Sequence, residues 1–149
     1  MEQGYILLKR LQYFFCMIIP SRFKELIRAS GSDAAMISRL EHFLVAYTLP
    51  EWAIIENRIL SMVEKDDSMR RFRRIFIGGA FECPLDRQGR ILIPPSLREY
   101  AELNREIILV GNLDHFEIWS QNNWNRENEQ METDYQKEEV RNKIAGLGL

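Results

Sequence analysis

The chain is poor in the residues that build metal and redox centres. Its two cysteines, Cys16 and Cys83, lie far apart and form no C-x-x-C pair, and its two histidines, His42 and His115, complete no zinc spacing. A disulfide-stapled scaffold and a zinc finger are therefore excluded. Two free thiols in a reducing cytosol, with no metal, is the expected reading. Enzyme signatures are missing too: no G-x-S-x-G, no phosphate-cradling glycine loop, no H-E-x-x-H and no dinucleotide fingerprint. No residue presents itself as catalytic, and no cofactor is expected. Long apolar runs are also absent. The longest candidate, residues 13–19, sits behind Lys9 and Arg10 and is far short of the roughly 20 residues that span a bilayer. Pro20 and a helix-like segment follow it instead of a small-residue cleavage site, so a buried strand is expected, with no membrane partner.

Nor is there an excess of one charge. Lys and Arg number 20 against 22 Asp and Glu, a net charge of −2, which excludes a generic polyanion binder. Any affinity for phosphate must come from a local face. The distribution allows one: residues 70–90 hold six basic and two acidic residues, whereas 91–120 hold two basic and five acidic. With 149 residues, 46% hydrophobic and 28% charged, the chain suits one compact domain or two small units sharing a core.

Self-similarity points to the second arrangement. Residues 86–100 read DRQGRILIPPSLREY, and residues 12–26 read QYFFCMIIPSRFKEL. Pro20 answers Pro94, Phe23 answers Leu97, Lys24 answers Arg98 and Glu25 answers Glu99. Further on, LEHF at 40–43 answers LDHF at 113–116, and Tyr47 and Trp52 answer Trp119 and Trp124. The spacing drifts from 74 to 72 residues, as loop changes between two copies of one unit would produce. Two copies are too few for a solenoid but can pair face to face, as two subunits of a dimer do.

Periodicity sets the expected elements. In the second copy Phe81 and Cys83 alternate with Glu82 and Pro84, and Ile91–Ile93 form an apolar run after a turn. Gly89 suits a turn that needs positive φ. Pro94 and Pro95 open a helix with Leu97, Tyr100 and Ala101 on its apolar side. Strands are expected over 106–110 and 116–119, with Gly111-Asn112 as the turn. The first copy repeats this order: strand to Ile19, helix 21–28, strand 35–37, strand 43–47. Pro50-Glu51-Trp52 opens a further helix anchored by Trp52, Ile55, Leu60 and Val63. Asp66-Asp67-Ser68 breaks it and caps a second helix over 69–76. Beyond Trp124 the chain is polar, with Met131, Tyr135 and Val140 as its few apolar anchors. An exposed helix or a partly disordered tail fits it.

Few residues offer themselves for recognition. Asp86 and Arg90 stand four apart around the glycine turn. They can form an ion pair that only stabilises a hairpin. Arg90 can also project as a planar fork toward phosphate or guanine, with Asp86 holding it; the two readings are compatible. Arg70, Arg71, Arg73 and Arg74 surround Phe72. Such a run usually marks a solvated helical face, and a phosphate patch or subunit contact are the alternatives. Phe72, Ile75 and Phe76 anchor that helix. His42 and His115 are read as matching turn positions, Trp52 and Trp124 as core anchors, and Trp119 as packing between units.

AFECPLDRQGRILIPPSLREYAEL and EIILVGNLDHFEIWSQNNW closely resemble the second half of MraZ proteins, and IIPSRFKEL and VAYTLPEW resemble parts of the first half. The resemblance implies an α+β fold of two tandem SpoVT/AbrB-type units, interlocked through swapped hairpins as a pseudo-dimeric small β-barrel with flanking helices. The units would occupy 5–53 and 79–125, with linking helices over 54–78 and a charged C-terminal helix or tail over 126–149. It further implies a cytoplasmic, nucleoid-associated, sequence-specific DNA-binding repressor of the bacterial division and cell-wall gene cluster, including its own operon. Such proteins bind repeated boxes in double-stranded DNA and assemble as homo-oligomeric rings. The family's D-x-x-x-R element falls on Asp86 and Arg90, with Arg87 beside them and Gly89 shaping the turn; Arg70, Arg71, Arg73 and Arg74 are the flanking candidates. The first copy departs from this pattern, having Gln12, Tyr13, Phe14, Phe15 and Cys16 where D-x-x-G-R is expected. AbrB-like units also serve in antitoxins whose acidic tail wraps a toxin, and the acidic stretch 127–139 suits that alternative.

Overall fold

The computed structural model describes residues 6–10 in their backbone alone, and residues 16–62 and 66–149 in full. Gln12, Tyr13, Phe14 and Phe15 of the divergent motif, the side chains of Lys9 and Arg10, and the proposed anchor Val63 lie outside the described residues. The elements in order are β1 (Ile6–Arg10), β2 (Cys16–Ile18), α1 (Ser21–Ala29), β3 (Ala34–Leu40), β4 (Phe43–Thr48), α2 (Leu49–Ser61), α3 (Asp67–Gly78), β5 (Phe81–Pro84), β6 (Arg90–Leu92), α4 (Pro95–Tyr100), β7 (Glu106–Asn112), β8 (His115–Ser120), α5 (Gln121–Asp134) and α6 (Glu138–Ala145). The fold is α+β, with antiparallel sheets: a six-stranded sheet ordered β1-β7-β8-β4-β3-β5 and a two-stranded ribbon of β2 and β6.

The register carries the internal repeat. In the ribbon Met17 pairs with Ile91, its counterpart 74 residues on. At the centre of the large sheet Val45 pairs with Glu117, its counterpart 72 residues on. A pseudo-twofold axis therefore passes through both pairs. The outer strands obey it as well: Leu8 of β1 pairs with Ile108 of β7, and Glu82 of β5 pairs with Met36 of β3. Each half thus gives its first strand to the hairpin of the other.

Strand alternation divides the core into two layers. Ala35, Ile37, Leu44, Ala46, Ile107, Leu109, Phe116 and Ile118 face the ribbon, α1 and α4, where they meet Met17, Ile19, Phe23, Ile91, Ile93 and Leu97. The other face of the same strands presents Phe43, Val45, Ile108 and Trp119 to Trp52, Ile59, Phe76 and Trp124 of α2, α3 and α5. Phe43 of the first half stacks on Trp119 of the second at 4.3 Å, and Phe23 meets Phe116 at 4.2 Å. Each such pair adds about 0.5–1.5 kcal/mol beyond its area burial. Trp119 does pack between the halves, as expected.

Helix starts follow local chemistry. The Thr48 hydroxyl accepts from the Glu51 N–H at 3.4 Å with Pro50 in the first turn, and the Ser120 hydroxyl accepts from the Asn123 N–H at 3.0 Å. The Asp66 carboxylate accepts from the Ser68 N–H at 3.0 Å, confirming the break before α3. Several details differ from expectation. Ile59, not Leu60, joins Trp52 as a buried anchor of α2; Leu60 is 51% exposed, because it lies one step of about 100° round the helix. Ile75 of α3 is likewise 45% exposed, while Phe76 is buried. The strand expected over 35–37 extends through Ala34–Leu40. The segment beyond Trp124 is helical, as α5 and α6.

The second hairpin turns at Leu113 and Asp114, and Gly111 and Asn112 remain in β7. Leu113 has φ 49° and its structural counterpart Glu41 has φ 50°, both as the first residue of a two-residue turn. The letter match LEHF to LDHF is therefore off by one residue. His42 sits in its turn, whereas His115 is on β8 opposite Tyr47. A one-residue shift reverses side-chain direction, so Phe43 and Phe116 enter opposite layers.

Candidate nucleic-acid interface

Residues 86–90 form a tight connection between β5 and β6. The Gly89 N–H donates to the Asp86 carbonyl at 3.0 Å and the Asp86 N–H donates to the Arg90 carbonyl at 2.8 Å. Gly89 has φ +72°, so a three-residue loop closes with its last residue left-handed, a conformation that favours glycine. The Asp86 side chain braces the loop from inside. Its Oδ1 accepts from the backbone N–H of Gln88 at 2.9 Å and of Arg90 at 2.8 Å. Its Oδ2 accepts from Arg90 Nε at 2.7 Å. These contacts, the Arg90 backbone N–H foremost, hold the Asp86 carboxyl below the usual carboxylate range despite some desolvation.

The guanidinium is thus oriented through Nε alone. Among the described residues no hydrogen bond takes either of its Nη groups, and the side chain is 34% exposed. A fork held at one nitrogen and open at its end suits paired acceptors such as two phosphate oxygens or the N7 and O6 of guanine. Arg87 is exposed at the tip. On the ribbon's outer face Arg90 stands opposite Ile18, and Cys16 takes the twofold counterpart of Arg90. Both Ile18 and Leu92 are exposed there.

The turn is seated on the first half. The Ile19 N–H donates to the Gly89 carbonyl at 3.0 Å. Lys24 of α1 lies over Gly89, so close that a Cβ built there would come within 2.6 Å of Lys24 Cδ. Sequence reading passed over this lysine, although the basic pair Lys24 and Arg98 in matching repeat positions was a signal for it.

Arg70, Arg71, Arg73 and Arg74 are not brought to the turn. They ride on α3, which packs through Phe76 and accepts the Ser38 hydroxyl at the Phe76 carbonyl (2.5 Å), on the sheet face opposite the ribbon. Arg70 pairs with Asp67 one turn earlier. Arg71 and Arg74 are exposed and Arg73 half-buried.

Elsewhere the titratable groups offer little chemistry. Burial, reinforced by Glu82, pushes the Cys83 thiol up to about 11, where it is a protonated and unreactive core residue. Among the described residues no cluster of His, Cys, Asp and Glu can hold a metal ion, and no helix is long and apolar enough to cross a membrane.

The chain is similar to several known proteins. The chain is 57% identical over 133 residues to the transcriptional regulator MraZ of Desulforapulum autotrophicum, covering 89% of this chain and 90% of the relative. The chain belongs to the MraZ family. The corresponding regulator of Desulfosudis oleivorans is 50% identical over the same shares of the two chains, and that of Syntrophobacter fumaroxidans is 40% identical over 131 residues, 88% of this chain and 86% of the relative. A family model described as "MraZ protein, putative antitoxin-like" matches residues 76–143, which include the braced turn. By this kinship the chain is a transcriptional regulator of the MraZ type.

Proposed function

We propose that this MraZ-family regulator reads double-stranded DNA through the turn formed by Asp86, Arg87, Gly89 and Arg90. The observation that carries the reading is a guanidinium fixed at Nε by Asp86 Oδ2 and, among the described residues, open at both Nη groups. Arg90 contacts a base edge or a phosphate pair, Asp86 orients it, Arg87 adds charge, and Gly89 shapes the bend. Binding and not catalysis is the work, and no cofactor takes part.

The fold at its finer level is an interlocked pair of swapped-hairpin units forming one small barrel, with the unit boundaries near 5–53 and 79–125. Support comes from the exchange of first strands between the halves and the axis through Val45 and Glu117. Each chain offers one intact reading turn. A handful of phosphate contacts gives weak, salt-sensitive binding. A homo-oligomeric ring on repeated operator boxes makes later contacts intramolecular, adding about 10²–10⁴ in avidity. Repression of the division and cell-wall cluster, its own operon included, at the nucleoid of the cytoplasm is the role that fits such an assembly. The α3 arginines lie on the opposite layer, so we assign them to a neighbouring subunit or to general attraction and not to the same groove.

The test is Arg90→Ala in a gel shift run beside light scattering. A bidentate arginine contact is worth about 1–3 kcal/mol, roughly 5- to 150-fold per turn. Loss of that size, with particle mass unchanged and with Arg71→Ala and Arg74→Ala milder, is expected; unaltered binding would end the assignment.

A second reading is an antitoxin-like interaction protein. It is favoured by the matched model's description and by residues 127–139, which carry six acidic residues against one lysine on helices with almost no buried side chain. Stoichiometric co-purification of a small basic protein would favour it.

A further inference from the structure

We propose that Lys24, on α1 of the first half, is a phosphate-contacting residue of the second half's turn. The half that lacks its own D-x-x-G-R sequence would thereby complete the reading element of the other. This inference rests on the turn being a DNA-contacting element.

Three observations carry it. Lys24 lies directly across the turn: the ideal Cβ position on Gly89 is 2.6 Å from its Cδ and 2.8 Å from both Cε and Nζ. The placement is set by backbone and core. The Ile19 N–H holds the Gly89 carbonyl, the Lys24 N–H donates to the Pro20 carbonyl at 3.1 Å in the first turn of α1, and buried Phe23 and Ile27 fix which way that helix faces. Finally, among the described residues the ammonium has no hydrogen bond or ion pair. The nearest carboxylate in the turn, Asp86, spends its oxygens on Gln88 N, Arg90 N and Arg90 Nε.

An ammonium left without an anion on a turn that already carries Arg87 and Arg90 makes a local site for negative charge. Its chemistry assigns the target. Lysine is a compact point charge on a flexible stem and suits a phosphate oxygen, whereas the planar Arg90 fork suits paired acceptors. Gly89 then has two duties: it permits the left-handed bend and leaves room for the lysine stem.

The experiment measures duplex affinity against salt for the full chain, using a short duplex selected by the wild-type protein from a random pool and an unselected duplex. Lys24→Met keeps the apolar stem over Gly89 and removes only the charge; Lys24→Arg restores charge. Lys24→Met should weaken both duplexes by a similar factor and reduce the slope of log K against log salt by about 0.9 per contributing chain. Lys24→Arg should recover the slope. Wild-type affinity and slope in Lys24→Met would overturn the proposal, as would a loss that Lys24→Arg does not repair. Arg90→Ala run in parallel separates the two ideas. If Arg90→Ala binds like wild type, the turn reading itself fails; if it loses binding while Lys24→Met does not, only the lysine's role fails.

Discussion

Replacing Gly89 by alanine tests the turn through stability, independently of DNA. Gly89 has φ +72°, and an L-residue in the left-handed region costs about 1–2 kcal/mol. The new Cβ would also meet Lys24 Cδ, Cε and Nζ at 2.6 to 2.8 Å. These atoms are the far end of a flexible side chain, so the lysine swings aside and the backbone term dominates. A change of 1 kcal/mol moves the melting temperature by about 2–4 °C in a chain of this size, so Gly89→Ala should melt about 2–8 °C lower. Gly89→Asn separates the two effects, since asparagine tolerates positive φ but carries the same Cβ. It should melt closer to wild type while still displacing Lys24. In a Lys24→Ala background most of the alanine penalty should persist, with a coupling on the order of 0.5 kcal/mol assignable to the crowding. Differential scanning fluorimetry checks the series. Wild-type melting in Gly89→Ala, or equal damage from alanine and asparagine, would show that residue 89 is not held left-handed.

Two further outcomes concern the core. Trp119 is buried, stacks on Phe43 at 4.3 Å, meets Trp124 at 5.4 Å and donates from Nε1 to Glu117 at 3.2 Å. Trp119→Ala should cost about 3–5 kcal/mol in urea unfolding, and a loss well below that range would mean the halves are not joined through this ring. Glu117 is half-buried on the pseudo-twofold axis; burial, with Glu41 and Glu127, raises its carboxyl above the usual range against the opposing Trp119 hydrogen bond and His115. With the folded value above the unfolded one of about 4.3, the charged form penalises the fold fully above the folded value, and the penalty disappears below the unfolded one. Glu117→Gln should therefore be more stable than wild type at neutral pH, with the gap closing as pH falls through that window. Melting curves across pH would refute this by showing a constant or inverted gap.

Much of the molecule was legible in the chain because its signals are local or periodic. Alternation of apolar and polar residues marked β5, and short apolar stretches between turn signals marked β4, β7 and β8. Pro50, Asp66 and Pro94 marked helix boundaries, because a missing N–H or a capping carboxylate acts within one turn. The D-x-x-G-R turn was readable because Asp86, Gly89 and Arg90 satisfy one another across five residues. The repeat itself was visible, but its register at the second hairpin was not. LEHF and LDHF agree in letters, while the positive-φ positions Glu41 and Leu113 are 72 apart and send Phe43 and Phe116 to opposite layers.

Sequence by itself determined that this chain has two related halves and one braced arginine turn. Only tertiary structure decided which strand pairs with which, since backbone hydrogen bonds carry no label for the half that donates them. The exchange of β1 and β5, the seating of Lys24 over Gly89 and the removal of the α3 arginines to the far layer all follow from that choice. Each joins residues distant along the chain, and the free energy that selects among such pairings comes from burying both faces of one shared sheet.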